Sequence, residues 1–434
     1  MPPTRKPTRL TLRSYQVGFG DCYLLTFHYA SFDRHVLIDF GSTGQPKTAG
    51  ENLMLRVAQD IEKECNGKLH GIVATHRHKD HISGFATAKN GKGSGDVIAG
   101  CKPDVVVQPW TEDPKAAPDT GALAGADRDG RKSFVAALGD MHVISGAVLI
   151  EAERRKSVLG KTLHRELTFL GDDNLSNLSA VKNLMTMGPN KYIHYGTRSG
   201  LEKVLPGVKI KVLGPPDLKQ TETIRKQRSS DEGEFWHFQS KFWHLQAAAA
   251  EQVAAHSKKS IFPKAKTYSA LVTPPHTRWF IKRMRSMRGD QLLSIVRTLD
   301  KVMNNTSIIL LFEVGGQKFL FPGDAQIENW AYALSKPAVR RMLEDVNVYK
   351  VGHHGSLNAT PKTLWNLFKN RSPKKTPSRL QTLVSTMPGK HGKTANNTEV
   401  PRRPLVEALE AESDYFTTQK LKKKELKQSF TIDL

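Results

Sequence analysis

The stretch VATHRHKDHISGF, residues 73–85, sets three histidines and an aspartate within six positions directly after an apolar run. Along an extended backbone side chains alternate, so His76 and His78 point to one side and both imidazoles can reach one cation. Asp80 and His81, farther round the turn, can face a second. Neutral imidazole and carboxylate suit Zn²⁺, Mn²⁺ or Fe, and the lack of neighbouring cysteines argues against a structural thiolate site. The alternative is a histidine-rich polar loop without metal. What surrounds the stretch decides between them.

Upstream, RLTLRSYQV (9–17) and CYLLTFHY (22–29) have the content of paired strands and are separated by the turn-prone GFGD. HVLIDFGS (35–42) is a further strand, carrying Asp39 near its end. Between Glu51 and Cys65, apolar Leu53, Val57, Ile61 and Cys65 recur every four residues and Asn66-Gly67 supplies a stop, which predicts an amphipathic helix. LHGIVATH (69–76) returns as a buried strand. The histidine cluster therefore lies on the loop at a strand's carboxyl end, where open α/β folds build their sites.

Downstream, CKPDVVVQPW (101–110) and GVKIKVLGPPD (207–217) read as strands, and GALAGADRDGRKSFVAALGDM (121–141) as a loop and a helix. NNTSIILLFEVGGQKFLFPGD, residues 304–324, predicts a hairpin about VGGQK whose second run ends in Gly323-Asp324. The helix AVRRMLEDV (338–346) precedes the strand NVYKVG (347–352), which runs into His353-His354-Gly355-Ser356. QTLVSTM (381–387) is a late strand, followed by PGKHGKTANNTEVPRRP, the helix LVEALEA (405–411) and a basic tail over 420–434. Asp324, arriving from a distant strand, is the natural bridging ligand, because one carboxylate can hold two cations ~3.5–4 Å apart.

Lys and Arg number 65 against 42 Asp and Glu, a net charge of +23. Such an excess attracts polyanions, so nucleic acid or a phosphorylated substrate is a candidate partner. The segment 218–299 is polar, then alanine-rich, then basic with interleaved aromatic residues in RWFIKRMRSMRGD (278–290); it is expected to be a mainly helical insertion. No window approaches the ~18 apolar residues of a spanning helix, and the N-terminus lacks the apolar core of a signal peptide, so a cytoplasmic protein without membrane insertion is expected. Cys22, Cys65 and Cys101 have neither disulfide nor metal spacing and read as small core residues.

Taken together, these blocks carry a resemblance. HRHKDH matches the HxHxDH signature of metallo-β-lactamase-fold hydrolases. VGFGDCYLLTF, VLIDFGS, the 304–324 hairpin and YKVGHHGS resemble ordered blocks of the metallo-hydrolase domain of the ComEC/Rec2 DNA-uptake proteins and their soluble relatives. The resemblance covers about residues 10–100, 170–216 in outline, and 300–420 more fully. It implies one αββα sandwich domain with a core of 10–216 and 300–420, and two divalent metal ions, Zn²⁺ or Mn²⁺, at one edge. It makes His76 and His78 ligands of one metal, Asp80 and His81 ligands of the other, Asp324 the bridge, and one of His353 and His354 a further ligand, with His354 favoured.

The resemblance further implies that Asp80, His353 and His354 do catalytic work, with His353 as proton donor or phosphate contact, that Asp39 orients the histidine loop, and that His391 contacts substrate. The broader fold family carries another histidine before the bridging aspartate. Here that place holds Asn304-Asn305, a polar pattern without histidine that the ComEC-like relatives share, which leaves the His76/His78 site with fewer ligands; His142 and His194 are the other histidines that can fill it. The function implied is a hydrolase acting on a phosphodiester or nucleic acid. The alternatives are hydrolysis of a small ester, lactone, thioester or β-lactam, and a non-catalytic nucleic-acid-binding module with structural metals.

Overall fold

Apolar and aromatic runs buried on both faces turn the first forty residues into three antiparallel strands, β1 (Arg9–Tyr15), β2 (Cys22–His28) and β3 (Asp33–Phe40). Helix α1 (Leu53–Glu64) buries Leu53, Val57, Ala58 and Ile61, the face its four-residue repeat predicts, and leads to β4 (Gly71–Val73). There follow the short α2 (Lys79–Ile82), α3 (Ser94–Gly100), β5 (Val106–Pro109), α4 (Leu178–Thr186), β6 (Asn190–Ile193) and β7 (Lys209–Gly214). The expected hairpin is β8 (Ile309–Val314) and β9 (Gln317–Phe321), closed by Gly315 and Gly316 at positive φ, as a tight two-residue turn requires. Helices α5 (Ile327–Leu334) and α6 (Pro337–Leu343) lead to β10 (Val348–Lys350), α7 (Lys362–Trp365) and β11 (Gln381–Val384). The chain closes with α8 (Arg403–Glu412), β12 (Asp414–Thr417) and β13 (Lys427–Asp433).

This computed structural model describes residues 6–46, 49–113, 153, 164, 177–217, 220, 304–387, 389–390, 399–422 and 425–434. The chain divides into two units: Met1–Ala122, Ser176–Thr221 and Lys301–Leu434 in the first, Leu123–Leu175 and Glu222–Asp300 in the second. Of the second unit only Glu153 and His164 are described, with His164 Nε2 3.2 Å from Glu153 Oε2. The readings of 121–141 and of the basic insertion 218–299 fall outside the described residues, save for Gln220.

The first unit is α/β and holds two mixed sheets. One runs β13-β1-β2-β3-β4-β5-β6, antiparallel as far as β3 and parallel beyond it; the other runs β12-β11-β10-β9-β8-β7, with β9 to β12 parallel and β7 to β9 antiparallel. Leu12, Leu25, Phe27 and Ile38 from the first sheet share a buried cluster with Val212, Leu310, Phe312 and Phe321 from the second. The opposite face of the first sheet packs Leu24, Leu37 and Phe40 on α1, α3 and α4. That of the second packs Leu311, Leu320 and Tyr349 on Trp330, Leu343, Trp365 and Leu409. All three cysteines are buried and free, as their spacing suggested. Among the described residues, no helix is long and apolar enough to cross a membrane.

One element departs from expectation. The basic tail contains strand β13, which pairs along the whole of β1 and lays Phe430 and Ile432 against the inter-sheet cluster. Lysine-rich composition hid a period-two pattern of Phe430, Ile432 and Leu434 between polar residues.

Two histidines remote from the opening motif carry a pH dependence. His35 and His70 are buried, His35 N–H donates to His70 Nδ1 at 3.0 Å, and Thr26 Oγ1 lies 3.1 Å from His35 Nδ1. Burial is the main cause that lowers both imidazoles to about 4, helped at His70 by Arg34. The unfolded chain, titrating near ~6.5, therefore binds more protons than the folded one between these values. Stability is full above about pH 6.5 and falls as pH drops toward 4, by on the order of 2 kcal/mol for each histidine. Urea midpoints of wild type and His70→Gln across pH 4–7 test this. The variant is expected to show a shallower pH dependence, and parallel curves would reject the assignment.

Candidate metal centre

Parallel pairing puts several strand ends on one side. Asp39 lies at the end of β3, the histidine loop follows β4, Asp324 follows β9, His353 and His354 follow β10, and Ser385 follows β11. The loops are held there by close backbone contact: Asp21 N donates to Asp80 O at 3.0 Å, and Gly41 approaches so near that a Cβ would meet Asp80 C and His81 N, each at 2.4 Å. Among the described residues only six other than glycine have positive φ, and three of them are Asp39, His353 and His354. Left-handed backbone at such residues costs ~1–3 kcal/mol each and gathers at functional sites.

Three groups of buried side chains converge with ligand atoms within 4.8 Å of one another. Two carry the expected ligands, His76, His78 and Asp80, and Asp80, His81, Asp324 and His354; the third is Asp21, Asp39 and His81. Their hydrogen bonds fix how each ring is presented. His354 Nδ1 donates to the carbonyl of Ser385 at 2.8 Å, which leaves Nε2 facing Asp80 Oδ2 at 2.7 Å. His81 Nδ1 donates to Asp39 Oδ2 at 2.8 Å, which leaves Nε2 facing Asp324 Oδ2 at 3.0 Å without hydrogen-bond geometry. Asp39 also accepts from Thr75 N and Thr75 Oγ1, so its carboxylate orients the loop. His76 Nε2 and His78 Nδ1 stand 3.0 Å apart.

A neutral ring whose Nδ1 carries the proton turns a lone pair toward a carboxylate oxygen. At His81 and His354 that contact is repulsive unless positive charge lies between, either a proton on each ring or a metal cation. Burial opposes charge on both rings, but Asp324, Asp80, Asp39 and Asp21 raise their affinity for a proton. Asp80 has its carboxyl lowered to about 2 although burial opposes this, because His81 and His354 face it. His76 is held well below the usual imidazole range by burial and by His81 and His78, which keeps it in the neutral form that ligates metal.

Charge points the same way. Asp21, Asp39, Asp80 and Asp324 are four buried carboxylates, and Lys350 is the one buried lysine among the described residues. Buried charge must be compensated, and divalent cations at the two groups would do so. Asp80 Oδ1, buried without a hydrogen-bond partner, is a further acceptor that a cation would satisfy. The donor set of imidazole and carboxylate fits Zn²⁺ or Mn²⁺.

The structure thus brings together His76, His78, Asp80, His81, Asp324 and His354, and keeps Asp39 behind His81. Asp80 is the carboxylate common to both groups, whereas Asp324, the expected bridge, stands in the second alone. One of the two late histidines joins the site, but not by strand alternation. Both occupy a tight left-handed turn, with His354 buried and His353 half-buried, its Nδ1 3.5 Å from Gln326 Nε2. Asn304 is buried, and its carbonyl accepts from Ser307 N; Ser307 Oγ in turn accepts from Asp324 N at 3.3 Å. His194 sits apart, bonded through Nδ1 to Tyr195 O. His142 and His391 lie outside the described residues.

Sequence reading missed Asp21 and Lys350. Lys350 Nζ contacts Asp21 Oδ2 and lies 3.2 Å from Asp324 Oδ1. Burial alone would discharge the ammonium, but Asp21 and Asp324 hold it protonated well above its usual range. A lysine at the end of an otherwise apolar strand was the available signal. No protein family matches the chain, and no curated protein matches it.

Proposed function

We propose that this chain is a metal-dependent hydrolase on the αββα metallo-β-lactamase fold, akin to the hydrolase domain of the ComEC/Rec2 proteins, and that it cleaves a phosphodiester, nucleic acid being the favoured substrate. The observation that carries the reading is the convergence of His76, His78, Asp80, His81, Asp324 and His354 from separate loops at the carboxyl ends of parallel strands. Two divalent cations held by these residues would supply Lewis acidity to activate water and to offset charge on a phosphoryl group. Asp39 and Ser385 hold His81 and His354 with Nε2 turned inward. His353, half-buried at the turn, contacts the substrate phosphate or protonates the leaving oxygen. The +23 net charge supports a polyanionic substrate.

The test is incubation of purified protein with single- and double-stranded DNA, RNA and bis-p-nitrophenyl phosphate in Mn²⁺ or Zn²⁺. Cleavage that chelator abolishes is expected. Cleavage of small carboxylic esters alone would move the substrate class. Salt-sensitive nucleic-acid binding without cleavage, unchanged in Asp80→Ala, would replace the enzyme by a binding module.

A further inference from the structure

Lys350 is 98% hidden from solvent, yet its ammonium has an oxygen for each of its three protons: Asp21 Oδ2, Gly323 O at 2.9 Å and Asp324 Oδ1 at 3.2 Å. Asp324 Oδ1 also receives the backbone N–H of His353 at 2.8 Å. The other oxygen, Oδ2, has a different environment, with His81 Nε2 at 3.0 Å and His354 Nε2 at 3.7 Å. The two oxygens of one carboxylate are thereby sorted. One is bound to protein donors, and one faces the inward-turned imidazoles.

We infer that Lys350 is a positioning residue that engages Asp324 Oδ1, so that Asp324 offers a single oxygen, Oδ2, to a metal ion, with Asp21 holding the ammonium in place. The inference rests on the reading of this cluster as a metal centre. A carboxylate free at both oxygens can chelate one cation, which raises its coordination number and blunts its Lewis acidity. Asp21 draws part of the lysine's charge away from Asp324 and so preserves the basicity of Oδ2.

Co²⁺ is the probe, titrated into chelator-treated full-length protein and followed by visible absorption, whose band intensity falls as coordination number rises. In Lys350→Met, Asp324 Oδ1 keeps only the His353 N–H and has a lone pair available to the cation, so weaker bands than in the wild type are expected. Lys350→Arg keeps a cation beside Oδ1 and is expected to restore band intensity. In Asp21→Asn the lysine turns wholly to Asp324, and Co²⁺ affinity is expected to fall about tenfold or more with the band shape kept. Wild-type bands in a folded Lys350→Met would overturn the inference. Should that variant fail to fold, unchanged Co²⁺ affinity in Asp21→Asn overturns it by itself. A wild-type protein that takes up no Co²⁺ would remove the metal-centre reading and this inference together, whereas normal uptake with unaltered variants removes only the inference.

Discussion

Asp80→Ala is expected to abolish divalent-metal binding at the cluster while leaving the fold in place. Asp80 belongs to both ligand groups, so its loss strips one oxygen ligand from each. A change in a metal's surroundings short of a ligand costs ~10–100-fold in affinity, and removal of a ligand is expected to reach at least the upper end. If the proposed hydrolysis holds, the rate falls by about 10³-fold or more, since the metal contributes several kcal/mol of charge stabilisation. The metal-free fold tolerates the change because one of four buried carboxylates is relieved, although His354 Nε2 loses its 2.7 Å partner. Thermal unfolding with and without Mn²⁺ separates these effects. Wild-type protein is stabilised by cation through mass action, and the variant is not. A variant that Mn²⁺ stabilises as much as wild type would remove Asp80 from the site.

Truncation before Lys427 has the next largest expected effect. It deletes β13, which pairs with β1 over all seven residues from Arg9 to Tyr15 and brings Phe430, Ile432 and Leu434 against the core. Three partly buried apolar side chains at ~1 kcal/mol each give a loss on the order of 3 kcal/mol. Lys427 also contacts Asp60 and Glu64 of α1. With β13 gone, β1 becomes a bare edge that invites pairing between chains. The expected outcome is a lower urea midpoint together with concentration-dependent association on gel filtration. An unchanged midpoint would mean that β13 contributes nothing to the fold.

Legibility in the sequence followed distance along the chain. The candidate ligands among residues 76–81 lie in one contiguous motif, so their chemistry and spacing could be read together. Helix α1 and the β8–β9 hairpin were legible because period and turn residues are local. Lys350 and Asp21 were not: their meaning lies in each other, and nothing beside either residue shows the partner. The two late histidines were half legible. Their motif identified them, but the left-handed backbone at both, followed by Gly355 at φ +90, cannot be read from strand alternation. β13 was masked by lysines that give its segment the composition of a solvated tail.

The most direct test of the central claim is a metal count on the wild-type protein. Elemental analysis after purification, followed by chelation and reloading with Zn²⁺ or Mn²⁺, is predicted to give bound divalent metal approaching two equivalents, removed by Asp80→Ala. A folded wild-type chain that neither retains nor takes up divalent metal would contradict it.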